Sequence, residues 1–103
     1  MKEPNTKWVW ISRILRPLTC SDRLEMFALL DNENRNIEQL AYKSRMSKSA
    51  VSRHLRVLHN NGLVRRTKQG QQVLYRLDKF VCPLANELKR MTNCILTKRL
   101  GSN

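Results

Sequence analysis

At 103 residues the chain has room for one domain, and its core is small enough that folds of this size often gain buried area by dimerising. A formal charge of +12 and a pI near 10.5 imply an anionic partner or a strongly repelling surface, with nucleic acid ahead of an acidic membrane. No apolar run approaches the roughly 18 residues of a spanning helix, residues 1–7 lack a signal-peptide core, and three scattered cysteines suit a reducing compartment, so a soluble cytoplasmic protein is expected.

After a polar tail (residues 1–7), residues 8–16 have the spacing of a short amphipathic helix, stopped by Pro17. A second helix is expected from Ser21–Asp22, with Asp22 as its cap, Glu25 three residues on, and Met26, Phe27, Leu29 and Leu30 facing the core. The stretch Asp31 to Asn36 is loop chemistry. Asn36 then caps a third helix carrying Ile37, Leu40 and Ala41 on one side. Ser47 caps a fourth, in which Val51, Leu55 and Leu58 recur at i, i+4 and i+7, and Asn61–Gly62 supplies a left-handed stop. Beyond it the apolar period changes to two. Residues 64–67 and 72–77 read as strands around Lys68-Gln69-Gly70-Gln71, with Val73, Tyr75 and Leu77 on one face. A last helix over residues 83–98 has Pro83 in its first turn and Leu84, Leu88, Met91 and Ile95 as its stripe.

Two helices joined by a turn (residues 36–60), followed by a basic hairpin (63–77), make a winged helix-turn-helix. The fold class is mainly α with a small β-hairpin wing. From Gln39 to Leu77 there is no acid at all, whereas an ordinary solvated face mixes both signs. If Val51, Leu55 and Leu58 are buried, the opposite side of the fourth helix presents Lys48, Ser49, Ser52, Arg53 and Arg56. A DNA major groove admits one helix, whose N-terminal residues reach base edges. Arg53 could pair bidentately with guanine, and Ser49 and Ser52 could reach bases or phosphate. Arg65, Arg66, Lys68 and Gln69 on the hairpin suit backbone or minor-groove contact. Double-stranded DNA is the expected partner. The terminal helices are more apolar than one small domain needs, so Trp8, Ile11, Ile14, Leu15, Leu84, Leu88, Met91 and Ile95 are candidate dimer contacts.

The segment MSKSAVSRHLRVLHNNGLVRR, followed by GQQVLYRL, closely resembles the recognition helix and wing of the arsenic-repressor (ArsR/SmtB) family of bacterial regulators. Upstream, CSDRLEMFALL and NIEQLAYKSRMS are similar to its second and third helices, so the resemblance spans Leu18 to Leu77. It implies a homodimer built from the first and last helices. Such a dimer binds an imperfect inverted repeat near a promoter, usually as a repressor.

The resemblance also implies places to look for an effector. Family thiolate sites lie on the third helix, where this chain has Leu40, Ala41 and Tyr42. The family's other common site uses Asp, His and Glu on the last helix, where this chain has Glu87 and no His. A zinc site needs three or four clustered ligands, so no metal and no cofactor are expected. A thiol switch would have to use Cys20 with Cys82 or Cys94, since the last two are too far apart along one helix to bridge. The family's thiol sensors place a cysteine inside the second helix, where Ala28 stands here. Buried structural cysteines are the plainer reading. A regulator controlled by its own concentration or by a protein partner then remains. No nucleophile, base and orienting acid can be assembled, so an enzyme is not expected. The reading from another class is a winged-helix module that docks protein or RNA. A protein-docking face would expose apolar residues, and an RNA reader would expose aromatics for stacking.

Overall fold

The structure, a computed structural model, describes residues 5–30 and 33–100, apart from the side chains of residues 96–100. The first four residues of the expected polar tail, and Asp31 and Asn32 of the expected loop, lie outside the described residues.

Helix α1 (Thr6–Leu15) starts earlier than its apolar spacing implies, because the Asn5 side chain accepts the Lys7 amide at 3.0 Å and caps it. It runs into a 3-10 turn, Arg16–Thr19, whose Pro17 and Leu18 are buried. Helix α2 (Ser21–Leu29) corrects one expectation. The residue at its N-cap is Cys20 and makes no side-chain cap, while Asp22 sits inside the first turn. There its charge still complements the helix N-terminus. Leu30, just past the last turn, is fully buried, whereas Leu29 is half-buried.

Helix α3 (Ile37–Ser44) opens with a capping box: Asn36 Oδ1 accepts the Gln39 amide at 2.8 Å, and Gln39 Oε1 accepts the Asn36 amide at 2.9 Å. Helix α4 (Lys48–Asn60) is capped at both ends. Ser47 Oγ accepts the Ala50 amide at 3.1 Å. At the other end Gly62, at φ 78°, lets the amide of Leu63 reach the Leu58 carbonyl and its own amide reach that of His59, each at 3.0 Å. This is the Schellman geometry, and Leu58 and Leu63 make its buried apolar pair.

Strands β1 (Val64–Gln69) and β2 (Gln72–Leu77) pair antiparallel from Val64↔Leu77 to Gln69↔Gln72. The expected four-residue loop is therefore a two-residue turn, with Gly70 at φ 63° as a type II′ turn requires of its first residue. On its other edge β2 meets an unexpected partner. Arg35 and Tyr75 exchange both backbone hydrogen bonds, at 2.9 and 2.8 Å, so the stretch expected to be loop contributes one residue of a third strand. Asp78 then caps a 3-10 turn, Lys79–Val81, that leads into α5 (Cys82–Leu100).

The core lies where α4 meets α2 and α3. Val51, Leu55 and Leu58 are fully buried with Met26, Phe27, Leu30 and Leu40, and Leu63, Val64, Tyr75, Leu77, Val81 and Ala85 close the cluster. Each such large side chain contributes about 1.5–3 kcal/mol on burial. His54 is also in this layer, 5 % exposed, and its Nδ1 has no partner. Burial first, and then the nearby Arg23 and Arg53 guanidiniums, push its pKa below the ordinary 6.5. The fold thus favours the neutral imidazole. That stability is fully present above pH 6.5 and is lost as pH falls below it toward the lowered folded value. The melting temperature should therefore fall between about pH 7.5 and about pH 5, and His54→Gln should flatten that fall. An equal fall in wild type and His54→Gln would place the titration elsewhere.

Candidate nucleic-acid interface

Burial of one side of α4 sets the rotation of the other. Ser49, Arg53 and Arg56, spaced i, i+4 and i+7, form the exposed ridge opposite Val51, Leu55 and Leu58. Lys48 is exposed beside them, with Nζ 3.3 Å from Glu38 Oε1 of α3. Both partners are largely in water, so the pair contributes roughly 0–1 kcal/mol and leaves Lys48 able to exchange partners. Ser52 is half-buried on the flank of the ridge. Ser49 Oγ lies 3.2 Å from Ser47 Oγ at the cap. The ridge begins at Ser49 in the first turn of α4, where unpaired amides add positive potential.

The turn between α3 and α4 holds a residue that periodicity does not single out. Arg45 adopts φ 61° and ψ 21°, the left-handed region, and has the one positive φ outside glycine among the described residues. That conformation costs a side chain about 1–2 kcal/mol. Glycine or asparagine is usual at such a helix end. The signal was legible as a missing glycine before the Ser47 cap. Arg45 is exposed at the start of the acid-free segment, next in space to the α4 N-terminus.

The register of the hairpin divides the wing cations. Arg66 and Lys68 stand on the face that carries Val64, Tyr75 and Leu77, while Arg65 and Gln69 stand on the other with Arg76. Arg66, Lys68 and Gln69 are exposed. Arg65 is engaged: its Nε donates to Asp78 Oδ2 at 2.8 Å. Asp78 Oδ1 also accepts the Phe80 amide at 3.0 Å, and these two bonds, the amide foremost, hold the carboxyl below its ordinary pKa. The Arg65 side chain is still 65 % exposed on the wing. It ties the wing to the lead-in of α5.

The terminal helices divide as well. Trp8, Ile11 and Leu15 of α1 and Met91 and Ile95 of α5 are exposed, and α1 buries no residue. Ile14, Leu84 and Leu88 are half-buried against the core, so part of their apolar surface closes the monomer. Among the cysteines, Cys20 and Cys82 are half-buried and Cys94 is exposed, all three as free thiols. Cys82 Sγ lies 3.4 Å from the Asp78 carbonyl. Glu87 on α5 is paired with Arg90. Among the described residues no three His, Cys, Asp or Glu side chains lie together as a metal site, and no helix is long and apolar enough to cross a membrane.

Comparison with known proteins bears on this arrangement. The model of the family described as bacterial regulatory protein, arsR family, matches residues 20–66, from the start of α2 into the wing. The transcriptional activator HlyU of Vibrio cholerae is 28% identical over 81 residues, 79% of this chain and 75% of that protein. The crystal structure of HlyU from Vibrio vulnificus superposes with a TM-score of 0.75 at 28% identity, covering 84% of this chain and 91% of that one. A homodimeric winged helix-turn-helix DNA-binding domain from Mycobacterium bovis shares the fold at 22% identity, with a TM-score of 0.73 over 95% of each chain. Over residues 20–66, which hold α2, α3, the capped and acid-free α4 and the start of the wing, the chain is similar to the arsR family of bacterial regulatory proteins, and its fold is that of a winged helix-turn-helix.

Proposed function

We propose that the protein binds double-stranded DNA as a homodimer and regulates transcription as a repressor at an inverted-repeat operator. The observation that carries this reading is the ridge of Ser49, Arg53 and Arg56, held outward by a fully buried opposite side in a segment without acids. A helix so presented fits the major groove, with Arg53 on guanine and Ser49 on a base edge or phosphate. Lys48, Ser52 and Arg56 position the helix. Arg66, Lys68 and Gln69 contact the flanking backbone, and Arg65 braces the wing. A protein-docking module would expose apolar residues on this ridge, and it exposes none.

Two copies are needed to read a repeat, and the uncovered stripe of α1 supports that assembly. Trp8, Ile11 and Leu15 lie at i, i+3 and i+7 and keep 68, 42 and 44 % of their surface exposed. Together with Met91 and Ile95 they form the face we assign to the partner copy. A two-fold axis there sets the two α4 helices roughly 34 Å apart, one turn of DNA. We assign repression because a dimer seated over a promoter blocks it. The same occupancy would activate where it displaces another repressor. The name of the Vibrio cholerae relative makes the sign a matter for a reporter assay on the native promoter.

The reading is tested by selecting bound duplexes from a random pool at near-physiological salt with reduced protein. Enrichment of an inverted repeat is expected, and retention without enrichment would mean the charge only grips phosphate. On the enriched duplex, Arg53→Ala should cost about 1–3 kcal/mol and relax preference at one base pair, whereas Lys68→Ala should weaken all duplexes and lower the salt slope by about one unit. A uniform loss for Arg53→Ala would make it a backbone contact. We also assign Arg45 to the backbone. Arg45→Gly should leave the melting temperature unchanged or raised, by relief of the left-handed strain, and still weaken DNA binding with a shallower salt slope. Unchanged affinity would remove Arg45 from the interface. The double change Trp8→Glu and Ile11→Glu should give a folded monomer by sedimentation, with affinity for the repeat reduced to that for a half-site. A persisting dimer would move the interface elsewhere.

A further inference from the structure

One groove lies away from the DNA-reading ridge and is used by none of these roles. It has a volume of about 620 Å³ and is lined by Trp10, Arg13, Ile14 and Arg16 from α1 and its 3-10 extension, Asn60 to Leu63 at the end of α4, and Asp78 and Phe80. This volume falls in the usual range for small-molecule sites, about 300–1,000 Å³. The α4 helix spans 13 residues, so its C-terminal end stands about 18 Å from the N-terminal end assigned to DNA.

Its walls have a definite chemistry. Trp10 is 57 % exposed and Phe80 64 % exposed, two large rings left in water on one groove. Trp10 is not part of the stripe assigned to the partner copy. Trp8, Ile11 and Leu15 share one side of α1, whereas Trp10, Arg13 and Ile14, at i, i+3 and i+4, share another and line the groove. Arg13 and Arg16 are exposed, and neither guanidinium has an ion-pair partner among the described residues. The one carboxylate on the wall, Asp78, is already held by Arg65 and the Phe80 amide. Two free guanidiniums therefore face one spoken-for acid, and the groove is complementary to negative charge. Asn60 also lines the groove.

We propose that this groove binds a small planar aromatic anion, with its ring against Trp10 and Phe80 and its carboxylate or phosphate on Arg13 and Arg16. Stacking supplies the apolar contact, and the guanidinium forks suit a carboxylate or phosphate in bidentate fashion. The site joins α1, the Gly62 turn that launches the wing, and the lead-in to α5. A ligand there touches the parts that set the wing and the terminal helices against α4. The inference does not depend on the DNA-binding reading, since the groove shares no residue with the ridge.

The test uses a Trp8→Phe protein, in which Trp10 is the sole tryptophan, and follows its indole N–H by NMR. The probe is 2-naphthoate, with the neutral 2-naphthylmethanol and the non-aromatic cyclohexanecarboxylate as controls. Saturable shifts are expected with naphthoate and much weaker ones with either control. Arg13→Gln with Arg16→Gln, and separately Phe80→Ala, should each weaken naphthoate by about tenfold or more, while Arg53→Gln should not. The proposal is overturned by absence of saturation, by equal binding of all three probes, or by an equal loss in Arg53→Gln, which would reveal attraction to net charge. It is also overturned if Trp10→Ala converts a dimer to a monomer and naphthoate does not bind, because the groove would then be a contact between copies.

Discussion

The burial of Val51, Leu55 and Leu58 against Met26, Phe27 and Leu40 is the constraint from which the rest of the molecule follows. A helix has one rotation that hides three such residues, and truncating one of them to alanine costs about 2–5 kcal/mol. Fixing that rotation fixes what faces out, which is the ridge of Ser49, Arg53 and Arg56. The ends of α4 are fixed with equal care: Ser47 takes an orphan amide at one end, and Gly62 turns Leu63 back onto Leu58 at the other. A reading helix must arrive rigid, because each side chain that orders on binding subtracts from affinity.

The few acids near the interface are spent on structure. Glu38 meets Lys48 across the helix-turn-helix in a weak, exposed pair, and Asp78 bonds Arg65 while capping the turn into α5. Asp78 is thus a junction between the wing and the 3-10 turn that leads into α5, bonded to both through one carboxylate. The buried His54 plays the opposite part. It must stay neutral in the core beside Arg23 and Arg53, so the protein carries a titratable weak point in the helix it depends on most. Asp78 and His54 together mean that wing placement and core stability answer to different charges.

Much of this was legible in the residues. The caps Asn36 and Ser47, the stop at Asn61–Gly62, the apolar rows of α4 and the inward Tyr75 all follow from local chemistry that acts within four or five residues. What was not legible depends on partners distant in sequence. Arg35 pairs with β2 because the buried Tyr75 backbone needs bonds on its second edge, and a single bridging residue leaves no period to detect. The strand β1 extends through Lys68 and Gln69 because pairing with Gln72 and Val73 outweighs their loop-like composition. Asp22 is displaced from the cap because the buried 3-10 turn at Pro17–Leu18 sets where α2 begins. Of the candidate site, the α4 ridge was readable. The ion pair at Arg65 and the aromatic groove were not, since each depends on three-dimensional placement.

The measurement that bears most directly on the central claim is protection of guanine N7 from dimethyl sulfate on the enriched duplex. N7 lies in the major groove, where the ridge of α4 is placed. The account predicts protected guanines in two patches one helical turn apart, with protection lost from both patches when Arg53 is replaced by alanine. Protection of the sugar-phosphate backbone from hydroxyl radical without any protected N7 would contradict it, because the helix would then lie along the DNA and never enter the groove.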